Sequence, residues 1–427
     1  MKRIALALAV ALILAAQPAE AQLRGHGGPV RAIAVAPDGE TVLSGSFDTS
    51  AIRWSLKRNS AVRVLRFHDS AVNAVALLPD SRAVTGGEDG KVAVWQPGDT
   101  APMTVFEGHT APIAALAVSP DGRTLASASW DRTVRLWPLD GGKPRTLEGH
   151  RQNVNGVAFT PDGNAVVSVS HDPQVRIWPL DGGAPIIVTM LVPFNSVTVA
   201  PDGEIVAGAA DGRVFFLSPA GEPHGEVAAA QVPVVSVAVS GDGALVAAAG
   251  IRGSVAVIER KSRKLVRTLA GPGLPVWSAA FLPDNRTLVT GGGDRVIRRW
   301  DALTGDHVGQ TAMASAEDPL AAYAGDRGAE VYRACIACHA LTPDGGNRAG
   351  PTLYGIFGRR IARLPGYDFS EALRKMDIVW APETVSRLFE IGPMTYTPGT
   401  KMPEQIIGSA EDRKALMEFL ARATTPK

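Results

Sequence analysis

Short segments in which apolar residues alternate with small or polar ones fill most of the chain up to Trp300. Val30 to Val35 and Val154 to Phe159 are typical, and each is followed closely by a Pro-Asp-Gly tripeptide. This tripeptide favours a tight turn, because proline fixes φ, aspartate bonds its own backbone and glycine tolerates positive φ. Alternation with a period of two residues predicts β-strands, so this region is predicted to consist of short strands joined by turns.

The turn tripeptide recurs at a nearly constant interval of about 41 residues, which is the length of a propeller blade repeat. Its seven copies, three of them variants, are Pro37-Asp38-Gly39, Pro79-Asp80-Ser81, Pro120-Asp121-Gly122, Pro161-Asp162-Gly163, Pro201-Asp202-Gly203, Gly241-Asp242-Gly243 and Pro283-Asp284-Asn285. A second strand, an aspartate and a third strand follow most copies, and a fourth strand precedes the next repeat. Four short strands per repeat predict one blade of a β-propeller.

Several repeats share further residues at fixed positions. Three of them begin with a Gly-His pair, namely Gly25-His26, Gly108-His109 and Gly149-His150. With these pairs and the aspartate and tryptophan that follow, the chain resembles WD-repeat proteins. Seven copies then imply a seven-bladed, all-β propeller over residues 22–310. The resemblance weakens in repeats five and six, where Leu217 and Ile258 replace tryptophan and Arg252 lies near the expected aspartate.

The resemblance implies that a histidine, a serine or threonine, an aspartate and a tryptophan form a hydrogen-bonded set within a blade. The third and fourth blades offer His109, Ser127, Asp131 and Trp137, and His150, Ser168, Asp172 and Trp178. A closed network of this kind gives every buried polar group a partner. These histidines are therefore predicted to be structural, and neither metal ligands nor catalytic bases.

Two features of the propeller stay open at this level. The ring could be closed by a short strand from Gln22 to Arg24 or by the segment from Asp306 to Thr311. By analogy with the family, the residue before each blade aspartate lies on the narrow top face, where it is Phe47, Trp130 or His171. These side chains could form a docking site for a partner protein, or each could pack locally over its own turn.

The first residues predict a secretory signal peptide over residues 1–21. Lys2 and Arg3 form a positive region, an apolar stretch from Ile4 to Ala16 follows, and Ala19-Glu20-Ala21 is a small-x-small cleavage site. The alternative is an uncleaved membrane anchor, although the apolar stretch is short for a bilayer span. The prediction places the protein in the periplasm. A formal net charge of +1 without a basic stripe argues against a nucleic-acid partner.

The composition changes after Trp300, and residues 311–322, rich in alanine, are predicted to be a linker into a helical domain. This domain contains the chain's only two cysteines, in Cys335-Ile336-Ala337-Cys338-His339, which is the attachment motif of a c-type haem. Two thiols three positions apart can add to the two haem vinyl groups, and the adjacent histidine then lies under the iron. A thioredoxin-like pair would need a βαβ context, and a zinc site would need further ligands.

Residues 323–427 resemble class I cytochromes c of the mitochondrial type, an all-α fold. The segments from Gly350 to Arg359 and from Pro398 to Met402 carry the resemblance beside the haem motif. It implies one covalent haem c bound through Cys335 and Cys338. The further haem-site residues that it implies are His339, Met402, Pro351, Arg359, Tyr367, Trp380 and Tyr396.

The resemblance also implies individual roles. His339 and Met402 would be the axial ligands of the iron, and the Pro351 carbonyl would accept the proton of the outer histidine nitrogen. Met376, Met394 and Met417 are rival methionines that lack the Pro-Gly-Thr-Lys context. Trp380, Tyr367 and Arg359 could bond the haem propionates or be ordinary packing and surface residues, and Tyr396 falls near an expected position.

One departure from the family concerns the helix before the methionine loop, where an aromatic hydroxyl often bonds the methionine sulfur. The sequence there is Arg387-Leu388-Phe389-Glu390, which has no tyrosine. The last helix, from Glu411 to Arg422, places Leu416, Phe419 and Leu420 on one face and is predicted to pack against the first helix of the domain.

An iron with two axial ligands has no open position for a substrate, so the chain is predicted to be a one-electron carrier rather than an enzyme. Its expected partners are redox proteins and a protein docked on the propeller, without nucleic acid or a stable membrane span. Two alternatives remain. The chain could be a propeller–cytochrome oxidoreductase with a second active site in the propeller, or a haem-based redox sensor or scaffold.

Overall fold

The computed structural model describes residues 22–271, 273–308, 320–333, 335–336, 339–342, 350–365, 367, 369–398, 400, 402 and 406–425. The predicted signal peptide, residues 1–21, and residues 311–319 of the predicted linker lie outside these ranges. The described residues form a domain of strands followed by a domain of short helices. None of their helices is long and apolar enough to cross a membrane.

The first domain contains 28 strands. Blades one to three comprise Val30–Val35 (β2), Thr41–Ser46 (β3), Ser50–Ser55 (β4), Ser60–Arg66 (β5), Val72–Leu77 (β6), Ala83–Gly87 (β7), Val92–Trp95 (β8), Thr104–Phe106 (β9), Ile113–Val118 (β10), Thr124–Ser129 (β11), Val134–Pro138 (β12) and Arg145–Leu147 (β13). Blades four to six comprise Val154–Phe159 (β14), Ala165–Ser170 (β15), Gln174–Pro179 (β16), Ile186–Thr189 (β17), Phe194–Val199 (β18), Ile205–Ala209 (β19), Arg213–Leu217 (β20), Pro223–Ala228 (β21), Val234–Val239 (β22), Leu245–Gly250 (β23), Ser254–Glu259 (β24) and Lys264–Ala270 (β25). Blade seven comprises Val276–Phe281 (β26), Thr287–Gly292 (β27), Val296–Asp301 (β28) and Leu23–Arg24 (β1).

These strands form seven four-stranded antiparallel sheets. The first strand of each sheet contacts the first strand of the next, from β2 to β6 and onward to β26, and β26 contacts β2 again. This cyclic order confirms the predicted seven-bladed propeller. Apolar clusters fill the spaces between neighbouring sheets, as for Leu43, Val72 and Trp95 between blades one and two.

In blades one, two and seven, one position of the second strand lies so close to the next blade that only glycine fits without a shift. A Cβ atom on Gly45 would lie 2.8 Å from Val72, one on Gly86 2.7 Å from Ile113, and one on Gly291 2.5 Å from Val30. Each of these contacts is to the innermost strand of the next blade. Packing at this density restricts relative movement of the blades.

Both ends of the repeat region contribute to ring closure. Strand β1 pairs with β28 through Leu23↔Ile297 and Arg24↔Val296. Further along the same edge, His307 forms a bridge with Trp300. The outer strand of blade seven is therefore β1, from the first of the two alternatives that the sequence left open, and the described part of the segment from Asp306 adds a single bridge beside it.

Hydrogen-bonded sets join the strands within blades three and four, as the sequence predicts. In blade three, His109 Nδ1 lies 2.7 Å from Asp131 Oδ2 and Nε2 lies 2.7 Å from Ser127 Oγ. The indole N–H of Trp137 donates to the same Ser127 hydroxyl at 2.8 Å. The equivalent bonds in blade four join His150, Asp172, Ser168 and Trp178 at 2.8–2.9 Å.

Blades one and two contain the same set. In blade two it consists of His68, Thr85, Asp89 and Trp95. The sequence analysis missed this histidine because Phe67 stands where other repeats have glycine. Burial opposes ionisation of Asp48 in blade one, but the neighbouring His26 and the hydrogen bonds from His26, Ser50 and Gly27 hold its pKa well below the ordinary value.

Blades five and six lack the set altogether. At the position of the serine they carry Ala207 and Ala248, and at the position of the tryptophan they carry Leu217 and Ile258. The indole donor and the hydroxyl acceptor of the tryptophan–serine bond are thus both replaced by apolar residues. No polar group of this bond is left buried without its partner. This paired replacement explains why the repeat pattern fades here while the blades persist.

The described residues of the second domain form five α-helices, Arg327–Tyr332 (α1), Glu371–Arg374 (α2), Pro382–Ile391 (α3), Pro393–Tyr396 (α4) and Ala410–Thr424 (α5), and a 3-10 helix over Ala321–Tyr323. The expectation of an all-α domain is only partly confirmed, because the described helices are few and mostly short. Leu320, which the sequence placed in the linker, is buried in the core of this domain.

Helices α1 and α5 cross at the centre of this domain, as the sequence predicts. Leu416, Phe419 and Leu420 of α5 are buried against α1 and its surroundings. The helices meet at Gly328, where a Cβ atom would lie 2.1 Å from the Ala415 carbonyl oxygen and 2.5 Å from the Phe419 Cβ. Only glycine allows this approach.

We expect Gly328→Val to destabilise the helical domain by about 1–3 kcal/mol, because the added methyl groups must push α1 away from α5. Thermal unfolding followed by helical circular dichroism measures the change selectively, because the described propeller contains no helix. Gly408→Ala is the matched control, since no atom lies within 4 Å of its Cβ position. Equal melting temperatures for the two variants would contradict the crossing.

Candidate haem-binding site

A largely apolar cavity of about 320 Å³ lies within the helical domain and opens towards the propeller. This volume is in the range of cofactor and small-molecule sites. Side chains of Ile356 and Leu364 from the loops, Val385 and Leu388 from α3, and Leu420 from α5 line it. The loops therefore enclose a space that the short helices alone could not fill.

Backbone hydrogen bonds fix the two ends of the cysteine–histidine segment, Cys335 and His339, at the wall of this cavity. The Cys335 N–H donates to the Tyr332 carbonyl at 2.7 Å, and the His339 N–H donates to the Cys335 carbonyl at 3.0 Å. Cys335 and His339 both line the cavity as a result. Cys338, the second predicted attachment residue, lies outside the described residues.

Cys335 is buried at the cavity wall. Burial raises the pKa of its thiol to about 11, so the thiol is protonated at neutral pH. A reactive thiol–disulfide pair needs a lowered thiol pKa and access to solvent. The environment of Cys335 is therefore unlike that of a redox-active dithiol.

A hydrogen bond fixes the orientation of the His339 ring. Its Nδ1 lies 2.8 Å from the Pro351 carbonyl oxygen, the partner that the sequence predicts. With the proton on Nδ1 donated to this carbonyl, Nε2 is left with the lone pair that a metal ligand needs. Gly350 packs against the ring, since a Cβ atom there would lie 2.3 Å from the imidazole Cε1.

Tyr332 is a site residue that the sequence analysis missed. It is fully buried, and its hydroxyl donates to the His339 carbonyl at 2.8 Å. The side chain thus fixes the backbone of the histidine from the side of α1. The sequence pattern that could have indicated this role is a tyrosine, an aromatic residue with a polar hydroxyl, three positions before the first cysteine on a short helix with one buried face.

Met402 lines the same cavity as His339, while Met376 and Met417 do not. Its backbone N–H donates to the Thr400 hydroxyl at 3.1 Å. Met417 is buried in the core on α5, and the Met394 side chain lies outside the described residues. Phe389, the residue without a hydroxyl in the helix before the methionine loop, is buried and also lines the cavity.

The four remaining predicted residues occupy different positions. The Arg359 guanidinium donates to the Thr352 carbonyl at 2.9 Å and to the Tyr354 carbonyl at 3.3 Å, and burial lowers its pKa. Tyr367 and Trp380 line the cavity with Arg359. Tyr396 packs against the apolar core and is not among the cavity-lining residues. Contacts of these side chains with haem propionates remain a prediction.

Comparison with known proteins places this site in a family. The cytochrome c family matches residues 325–424. The cytochrome c of Gibberella zeae is 35% identical over 99 residues, which is 23% of this chain and 92% of that protein. The chain belongs to the cytochrome c family. The cytochrome c of Arabidopsis thaliana is also 35% identical over 99 residues, again 23% of this chain and 88% of that protein.

A bacterial relative extends the match of the cytochrome c domain. The cytochrome c2 of Blastochloris viridis is 32% identical over 113 residues, which is 26% of this chain and 86% of that protein. The WD domain, G-beta repeat family matches residues 19–55, 59–96, 100–138, 141–179 and 263–301. The chain is thus a fusion of a WD-repeat propeller with a cytochrome c domain.

A cytochrome c domain implies one covalently bound haem c, and the residues of this cavity fit that group. The fit rests on the donor set: a buried cysteine, an imidazole with a fixed ring and a thioether face a single apolar cavity. When bound, haem c supplies an iron that gains and loses one electron. The domain therefore has the haem electron-transfer function of its family.

The propeller histidines serve a different purpose. His26, His68, His109 and His150 are bonded within their blades. Within the part of the chain that the structure describes, no group of three histidine, cysteine, aspartate or glutamate side chains is placed to hold a metal ion.

We expect Gly350→Ala to displace the His339 imidazole, because the new methyl group would overlap the ring. The visible spectrum should then show a larger high-spin fraction, and the domain should lose about 1–3 kcal/mol of stability. Gly408→Ala, made in open space, again serves as the control. A low-spin spectrum identical to that of the wild type would refute the packing of Gly350 against the ring.

Proposed function

We propose that this chain is a periplasmic one-electron carrier in which His339 and Met402 are the axial ligands of haem c and the propeller docks a redox partner. The observation that supports the proposal most directly is the placement of both side chains on one cavity, with the histidine ring fixed by Pro351. The N-terminal pattern of residues 1–21 supports the location.

The ligand chemistry explains why electron transfer is the preferred activity. A thioether is a soft ligand that favours ferrous iron, and histidine–methionine ligation accordingly raises the reduction potential. The cavity that Met402 lines is largely apolar, with Phe389 buried in its wall, and exclusion of water acts in the same direction. With both axial positions taken, the protein offers no open coordination position to a substrate.

The top face of the propeller supports the docking role. Phe47 and Trp130 are 45% and 43% exposed, respectively, although both are large apolar side chains. The Trp130 indole N–H donates to the Asn155 side chain of the next blade at 3.1 Å. His171 is held in the same way, with Nε2 lying 3.0 Å from the Asn195 oxygen. Aromatic side chains held in fixed positions on a surface are typical of protein interfaces.

Replacement of Met402 tests the ligation. We expect Met402→Ala to remove the thioether, so that the iron becomes high-spin or takes another ligand and the reduction potential falls. The absorption spectrum of the reduced protein and a potentiometric titration measure both effects. Met376→Ala is the control, because Met376 does not line the cavity. An unchanged spectrum and potential for Met402→Ala would exclude this residue as a ligand.

Cell fractionation tests the location. We expect the full chain, expressed in a bacterial host able to mature c-type cytochromes, to appear in the periplasmic fraction without residues 1–21. Mass spectrometry of the purified protein identifies the cleavage site. Recovery of the uncleaved chain from the membrane fraction would support the alternative of an N-terminal anchor.

A further inference from the structure

Two domains form the wall of the haem cavity. Besides the residues of the cytochrome c domain, the cavity is lined by Gly27, Asp48, Ser50 and Arg66 of blade one and by Arg295 of blade seven. All five lie on the propeller face that carries the Gly-His pairs and the aspartate turns. The Arg66 guanidinium carbon lies 4.9 Å from the centre of the Tyr367 ring, over its face.

The arginines that line the cavity differ in their partners. Arg359 is bonded to two backbone carbonyls, and Arg360 forms an ion pair with Asp377. These two cations of the cytochrome c domain are therefore already engaged. Arg66 and Arg295 of the propeller, in contrast, have no carboxylate partner within the described ranges.

The only carboxylate among the described residues of the cavity wall is Asp48, and it does not neutralise these arginines. Its oxygens accept hydrogen bonds from the Gly27 N–H at 2.6 Å and from the Ser50 hydroxyl at 2.6 Å, and one oxygen lies 3.0 Å from His26 Nδ1. The wall that the propeller contributes thus carries two arginines free to bind an anion.

Arg66 differs in charge from its equivalents in the next two blades. Arg66 is paired across the sheet with Ser50 at the end of the outer strand. The equivalent residues of blades two and three follow their outer strands directly and are Glu107 and Glu148. The repeat therefore carries glutamate at this position in the next two blades and arginine in the blade beneath the cytochrome c domain.

A haem c carries two propionate groups, which are anions at neutral pH. We propose that Arg66 and Arg295 bind these propionates, so that the propeller forms one wall of the haem site. A guanidinium group suits this role, because its planar fork donates two parallel hydrogen bonds to a carboxylate. The inference rests on the haem site itself and is independent of the cellular location and of the docked partner.

A cation beside the propionates stabilises the reduced haem, which has one positive charge less than the oxidised form. Loss of either arginine should therefore lower the reduction potential, and loss of both should lower it further. The contribution should also depend on salt, because added ions screen a charge near the protein surface.

The test compares Arg66→Gln, Arg295→Gln and the double variant in the full-length protein. Potentiometric titration should show a lower potential for each single variant, the largest decrease for the double variant, and a near-wild-type value for Arg66→Lys. Arg132→Gln is the matched control. Arg132 occupies in blade three the turn position that Arg295 has in blade seven, with φ of 74° for Arg132 and 67° for Arg295, and it does not line the cavity. Its potential should equal that of the wild type.

Covalent haem content and the spectrum of the histidine–methionine ligation are measured in the same samples. Haem content and spectrum should both stay unchanged. A lower potential with an unchanged spectrum distinguishes loss of propionate binding from an error in the axial-ligand assignment. If the double variant does not fold, Arg295→Gln carries the test, because this side chain is on an exposed turn. A potential equal to that of Arg132→Gln, with full haem content, would overturn the proposal.

Discussion

The hydrogen bond from His339 to the Pro351 carbonyl is the interaction on which the cytochrome c site depends. It fixes the tautomer and the plane of the imidazole, and it joins the cysteine–histidine segment to the loop on the other side of the cavity. Arg359 in turn holds this loop through the Thr352 and Tyr354 carbonyls. The ring orientation thus depends on a backbone carbonyl in a loop that the Arg359 side chain helps to fix.

The described part of the second domain combines short helices with loop residues that line the cavity. Its helices bury one apolar cluster around the contact of α1 with α5, and loop residues such as Ile356 and Leu364 line the cavity. Loops of this kind bury few apolar groups against one another and leave much of the ordering entropy uncompensated. A bound haem supplies the missing apolar contact, so stability and cofactor binding are coupled in this domain.

The sequence predicts those parts of the structure that repeat or that are local. The blade sets of His109 and His150 follow from residues at constant spacing, and the segment from Cys335 to His339 lies within one motif. His68 was not identified as a member of such a set, because Phe67 precedes it where other repeats have glycine. Tyr332 was missed because its place before Cys335 does not by itself show that its hydroxyl bonds the His339 carbonyl.

Features that join distant parts of the chain could not be predicted in the same way. Ring closure uses β1 as the outer strand of blade seven, which the sequence could only offer as one of two alternatives. The placement of Arg66 over Tyr367 depends on how the two domains meet, and no spacing rule connects residues so far apart. The sequence shows arginine at position 66 where the next blade has Glu107. Only the structure shows that Arg66 lines the haem cavity.

Blade one shows why a structural network and a cofactor site can share residues. Asp48 belongs to the hydrogen-bonded set of this blade and also lines the haem cavity. Burial works against its charge, but His26, Ser50 and the Gly27 N–H keep its pKa well below the ordinary value, so the carboxylate is an anion at neutral pH. A fixed negative charge at the cavity wall repels propionates, and a blade that ended in glutamate, as the next two do, would add to that repulsion. Arginine at positions 66 and 295 reverses the sign of this wall while the hydrogen-bonded set of blade one stays intact, so a WD-repeat blade can serve as a surface for an anionic cofactor.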